Sequence, residues 1–146
     1  MIEYTVCRFQ RWHAAVIMAE GEPAGGVYVP GEQTMRFLEQ SPNSVTLMVD
    51  GLPVVCGGTI ELWPGRSQAW TFVSNVAGPH LLMATKTAQK MLRAVPGRVE
   101  MTVVKDFVNG HRWARMLGFE VETPLLRAYG PRGEDHVGYT LHNVGV

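Results

Sequence analysis

The stretch VVKDFVNGHRWARMLGFEVET, Val103–Thr123, decides the architecture. The β-branched run Val99–Val104 predicts a strand, and residues 107–117 predict a helix. That helix stops at Gly118, a residue without Cβ that can take the left-handed conformation closing a helix. Downstream, Phe119–Tyr129 and His136–His142 predict two paired strands around the Gly-Pro-Arg-Gly-Glu turn. Upstream, Leu81, Thr85, Ala88, Leu92 and Val95 recur at helical spacing over His80–Val95, until Pro96-Gly97 ends the pattern.

Further toward the N-terminus, Ser44–Val49 and Leu52–Leu62 are apolar, β-branched runs separated by Asp50-Gly51, a strong hairpin signal. The turn Trp63–Arg66 leads to a third strand, Gln68–Val73, and Ser74–Pro79 breaks the chain. Glu3–Phe9 predicts a first strand and the Ala-rich Trp12–Ala19 a helix. Glu20–Glu32 is too rich in Gly and Pro for a regular element, and Glu32–Gln40 is a short helix halted by Ser41-Pro42-Asn43. The order is strand, two helices, three meandering strands, helix, strand, helix, two strands. It predicts one α+β domain over residues 1–146, a twisted mixed sheet of about six to seven strands flanked by about four helices.

Composition narrows the function. The 146 residues are 46% apolar, enough for a continuous core, and 13 basic residues balance 13 acidic ones. A chain without net charge exerts no field toward phosphates or anionic lipid, which argues against nucleic-acid and membrane-surface binding. Cys7 and Cys56 lack paired spacing and read as free thiols. The five histidines lack metal-ligand spacing, so no metal is expected. The N-terminus has no signal-like pattern, and no apolar run approaches the ~18–20 residues of a membrane span. A soluble, cytoplasmic protein is expected.

The element order and the junction VEMTVVKDFVNGHRWARMLGFEVE resemble the Gcn5-related N-acetyltransferase (GNAT) superfamily, in which a late strand feeds a helix ending in a Leu-Gly-Phe turn, here Leu117-Gly118-Phe119. In style, HRWARMLGF with WTFVS upstream and YGPRGEDHVGY downstream is similar to small GNAT-like proteins of tailed bacteriophages. The resemblance implies an acyl-coenzyme A dependent N-acetyltransferase, with acetyl-coenzyme A held in the gap where the parallel strands Trp70–Val73 and Val99–Val104 splay apart. It assigns the backbone of Phe72, Val73 and Ser74 to the pantetheine arm. Asn75, Ala77, Gly78 and the following helix start would take the pyrophosphate, where free N–H groups and the helix dipole favour an anion. Asn109 resembles an Asn near the start of the last helix in relatives, with an N-cap role for it or Asp106 as the alternative. The acceptor implied is an amine of unknown identity, on a small molecule or a protein.

Two departures from the family pattern stand out. The loop SNVAGPHLLMA has one glycine where relatives carry Arg/Gln-x-x-Gly-x-Gly/Ala, and Pro79 has no N–H. Ala114 occupies the position of the Tyr that protonates the departing thiolate. His111, with an ordinary pKa near ~6.5, is the candidate acid or base, and Glu61 the candidate base for the amine. Each also reads as an ordinary surface or core-edge residue. Trp12, Trp63, Trp70 and Trp113 read either as an aromatic acceptor pocket or as packing. Two functions follow: a transferase relying on positioning and backbone donors, or an inactive phage virion or host-interaction protein on the same fold. A homodimer is also open.

Overall fold

In the computed structural model, which describes residues 1–19 and 30–143, Asp50 and Gly51 take φ of 49° and 81°. Positive φ at both central residues marks the tight turn whose twist suits a two-residue hairpin. It joins β2 (Ser44–Val49) to β3 (Leu52–Trp63), antiparallel with a bulge between Leu47 and Met48. On the outer side of β2 lies β1 (Tyr4–Arg8), antiparallel from Tyr4 opposite Val49 to Arg8 opposite Val45. The helices α1 (Arg11–Ala19) and α2 (Glu32–Gln40) stand between these strands in sequence. The expectation for the Glu20–Glu32 loop falls on residues 20–29, outside the described residues.

β4 (Arg66–Val73) leads through a 3-10 turn at Gly78–His80 into α3 (Leu81–Arg93). Then follow β5 (Gly97–Val104), α4 (Val108–Met116), β6 (Glu120–Leu126) and β7 (His136–Asn143). The strands hydrogen-bond in the order β1-β2-β3-β4-β5-β7-β6, a seven-stranded mixed sheet, so the α+β class and strand count expected from the sequence hold. β4 and β5 run parallel, paired from Arg66 opposite Arg98 to Gln68 opposite Glu100, and β4 continues through Val73. β7 inserts antiparallel between β5 and β6.

Packing divides the chain into two units. One comprises Met1–Ile60 and Trp70–Ala84, the other Glu61–Ala69 and Thr85–Val146. The first contains an aromatic cluster around Phe9, Ile17, Leu38, Cys56 and Phe72, and an aliphatic one around Leu47, Val49, Val54, Ala77 and Ala84. The second is built on Leu92, Val95, Val99, Val103, Ala114, Leu117, Phe119 and Tyr139. Each such side chain of Val, Leu or Phe size contributes about 1.5–3 kcal/mol by leaving water.

The Leu-Gly-Phe turn behaves as its residues require. Gly118 has φ 100°, its N–H reaches the Arg115 carbonyl at 3.0 Å, and the Phe119 N–H reaches that of Ala114 at 3.0 Å. That paired closure satisfies two otherwise orphaned carbonyls and delivers Phe119 into the core. Several boundaries differ from expectation, three of them with a clear local cause. α3 is regular only from Leu81 to Arg93, the turn before it being 3-10. β6 stops at Leu126, and Ala128, at φ 49°, donates its N–H to Asp135 Oδ1 at 2.8 Å. The N-cap of α4 is Phe107, with no side-chain capping bond, so neither Asp106 nor Asn109 caps it.

Candidate functional site

The turn after β4 is shaped by Ser74. Its N–H bonds the Val54 carbonyl at 2.9 Å, its Oγ accepts from the Val76 N–H at 3.2 Å, and its carbonyl accepts from the Ala77 N–H at 3.1 Å. A hydroxyl that bonds the backbone two residues on is the means by which Ser favours turns. The chain then tightens: the His80 N–H bonds the Ala77 carbonyl at 2.8 Å and the Leu81 N–H bonds the Gly78 carbonyl. Phe72 and Ser74 are buried, at 4% and 2% exposure. Val73 is half-buried, whereas Asn75, Gly78 and Pro79 are exposed, and a Cβ built on Gly78 meets nothing within 4 Å. The His80 ring faces β1, its Nδ1 lying 2.9 Å from the Tyr4 hydroxyl.

The other candidates lie in the second unit. His111, on α4, has both ring nitrogens engaged: Nδ1 lies 2.6 Å from the Tyr139 hydroxyl and Nε2 lies 2.7 Å from the Lys105 carbonyl oxygen. Asn109 and Glu61 are exposed, the latter toward the end of β3. Ala114, where the resemblance leads one to expect Tyr, is fully buried in the core. Phe72, Val73, Ser74, Asn75, Ala77 and Gly78 thus gather along one strand and turn of the first unit, and Glu61, Asn109 and His111 belong to the second.

Tyr139 was not anticipated. It lies 28 residues from His111, and only the strand-helix packing of the folded chain makes it a partner. Also unanticipated is a chain of charges on β4, β5 and β6. Arg66 donates to Glu100 at 2.9 Å through Nε, Arg98 donates to Glu100 at 2.7 Å, and Arg98 grips both oxygens of Glu122. The two arginines hold the Glu100 carboxyl below the usual carboxylate range, Arg66 contributing most, against the opposing effect of burial. Arg98, Glu100 and Glu122 line a shallow groove of about 140 Å³ together with Gln68, Thr123 and Tyr129. Because its glutamates and Arg98 are already paired with one another, the groove offers a ligand little unsatisfied charge.

Of the tryptophans, Trp12 and Trp63 are exposed, and Trp113 donates to Thr85 Oγ1 at 2.8 Å. Trp70 packs against Phe9 and Phe72, and its buried indole N–H has no partner among the described residues. No group of three His, Cys, Asp or Glu among the described residues is placed to hold a metal ion. No helix among them is long and apolar enough to cross a membrane.

No family model and no curated protein matches this sequence. Solved structures do match it over nearly their full length. The ribosomal-protein-S18-alanine N-acetyltransferase of Escherichia coli superposes with a TM-score of 0.74 at 15% identity, covering 99% of this chain and 96% of that one. A putative acetyltransferase, YncA, from Salmonella typhimurium, solved with its cofactor acetyl-CoA, gives 0.69 at 11% identity over 98% and 95% of the two chains. An acetyltransferase of the GNAT family from Streptococcus pneumoniae gives 0.67 at 13% identity over 96% and 99%. The chain therefore has the GNAT fold.

Proposed function

We propose that the protein is an acyltransferase that moves an acetyl group from a coenzyme A-type thioester to an amine. The observation that carries this reading is the central parallel pair. Its registered ladder ends at Gln68 and Glu100, and β4 runs on through Phe72 and Val73. The backbone of that continuation at Val73 is assigned to the amides of the pantetheine arm, since main-chain donors and acceptors are obligatory hydrogen-bonding groups; Ser74 already has its N–H on Val54 and its carbonyl on Ala77.

The chain fits coenzyme A unevenly. A strand backbone suits the arm, but the turn over residues 74–81 does not suit a diphosphate, because most of its N–H groups already bond the chain itself. When bound, the cofactor supplies an activated acyl thioester. Attack of the amine nitrogen on the thioester carbon would form the C–N bond as the C–S bond breaks, with the amine proton passing to water; Glu61, in the other unit, stays a candidate base by resemblance only. His111 has no free ring nitrogen and serves to hold α4 against β7 through Tyr139. With Ala114 in the core, the leaving thiolate takes its proton from solvent.

A second reading is supported by that same Ala114: a GNAT-like bacteriophage protein kept as a virion or host-interaction scaffold. Calorimetric titration with acetyl-coenzyme A, followed by thiol release in the presence of amines, separates the two. Micromolar binding and amine-dependent thiol release support the transferase, whereas no heat at millimolar ligand favours the scaffold.

A further inference from the structure

We infer that the acyl donor is recognised through its pantetheine arm and not through a nucleotide diphosphate; this rests on the transferase reading above and refines its substrate class. A diphosphate is held by several converging N–H groups at a helix start, helped by the positive end of the dipole and by basic side chains. The turn after β4 withholds each of these.

Of the eight residues 74–81, five have their N–H groups engaged within the chain, namely Ser74, Val76, Ala77, His80 and Leu81. Pro79 has none to give. At most Asn75 and Gly78 remain. The Ser74 turn takes the N–H groups of Val76 and Ala77, and the 3-10 lead-in from Gly78 to His80 takes those of His80 and Leu81, donors that an abrupt helix start leaves free. Charge does not compensate, since residues 67–85 contain no Lys or Arg. Around the turn the exposed side chains other than Asn75 are apolar: Val76, Leu81 and Leu82 are 45%, 39% and 66% exposed. An anion placed there would lose its hydration shell against carbon.

The pantetheine arm needs none of this. Its amides are neutral, and the strand backbone at Val73 carries a donor and an acceptor of the same kind. The ligand chemistry is thus a thioester on a pantetheine arm. Its distal end is either the nucleotide of the free coenzyme or the phosphodiester of an acyl carrier protein.

The test compares three donors on the full chain by titration calorimetry: acetyl-pantetheine, acetyl-coenzyme A and an acetyl-loaded acyl carrier protein. Acetyl-pantetheine is expected to bind within about threefold of acetyl-coenzyme A, since the nucleotide adds no bonds. Acetyl-coenzyme A binding tenfold or more tightly than acetyl-pantetheine would place the diphosphate on the protein and overturn the inference. A carrier protein that binds more tightly than acetyl-pantetheine supports the inference and identifies the carrier as the source; equal affinity supports it with the free thioester as the source. Failure of all three to bind removes the transferase reading, and the inference with it.

Discussion

The Tyr139 hydroxyl on β7 lies 2.6 Å from Nδ1 of His111 on α4, and Nε2 of the same ring lies 2.7 Å from the carbonyl oxygen of Lys105. A carbonyl can only accept, so Nε2 carries the proton and the neutral ring accepts from the hydroxyl at Nδ1. One imidazole therefore joins β7, α4 and the turn between β5 and α4. Tyr139 is 1% exposed, which places its hydroxyl where a lost partner is not replaced by bulk water.

Tyr139→Phe is expected to destabilise the protein by about 1–3 kcal/mol, because Nδ1 of His111 is left without its donor. His111→Ala should cost a similar amount, and the double variant little more than either. Urea unfolding of all four proteins gives the coupling, expected at about 0.5–3 kcal/mol; strictly additive effects would show that the pair does not act as a unit.

His13 makes stability depend on pH. It is 1% exposed, and its Nδ1 accepts from the Gln10 N–H at 3.0 Å and from Thr46 Oγ1 at 2.8 Å. Burial lowers its pKa, partly opposed by the charge of Glu39. The unfolded chain takes up a proton near ~6.5 that the folded state resists. The contribution is complete above that pH and is lost as pH falls toward the depressed folded value. Unfolding curves between pH 7 and pH 5 should show falling stability in the native protein and a shallower fall in His13→Gln. An identical slope in both would rule His13 out as the source.

Glu100 acts in the more acid range. Its depressed pKa means that its stabilisation is present above the ordinary carboxylate value of ~4.3 and lost as pH falls through the lower folded value. Glu100→Gln leaves Arg66 and Arg98 facing a neutral amide and should cost about 1–2 kcal/mol at pH 7. The loss should shrink at pH 3; a loss that does not change with pH would point to packing instead of charge.

Ala114→Tyr would place a phenol at the position where the resemblance leads one to expect an acid, but here the site is core. Ala114 is fully buried, and one turn earlier a Cβ on Gly110 would stand 2.5 Å from the Phe107 ring and 2.8 Å from Val103. α4 approaches β5 this closely because both positions are small. The variant should lose about 1–3 kcal/mol or more from overpacking and gain no rate. Undiminished stability with faster thiol release would show that the helix can turn this face outward.

Much of the fold was legible because its signals are local. Asp50-Gly51 carries its own turn geometry, Gly118 its own helix stop, and Ser41-Pro42-Asn43 its own break. The parallel placement of β4 and β5 was reached through resemblance, since nothing within either strand encodes its partner. Boundaries at α3 and β6 slipped because a 3-10 turn and the Ala128–Asp135 bond depend on geometry that residue type alone does not signal. The candidate turn was legible by position only: its single glycine and Pro79 could be read, but the engaged state of its N–H groups could not.

By itself, then, the amino-acid order determined the kinds of element, their succession and most of their ends, because propensity, periodicity and turn chemistry act over a few residues. The tertiary structure decided which distant groups meet: Tyr139 with His111, Thr46 with His13, and Glu100 with Arg66. It also placed Ala114 in a core where a tyrosine has no room. These facts depend on side-chain directions and strand register, which emerge only when buried surfaces pack to close contact.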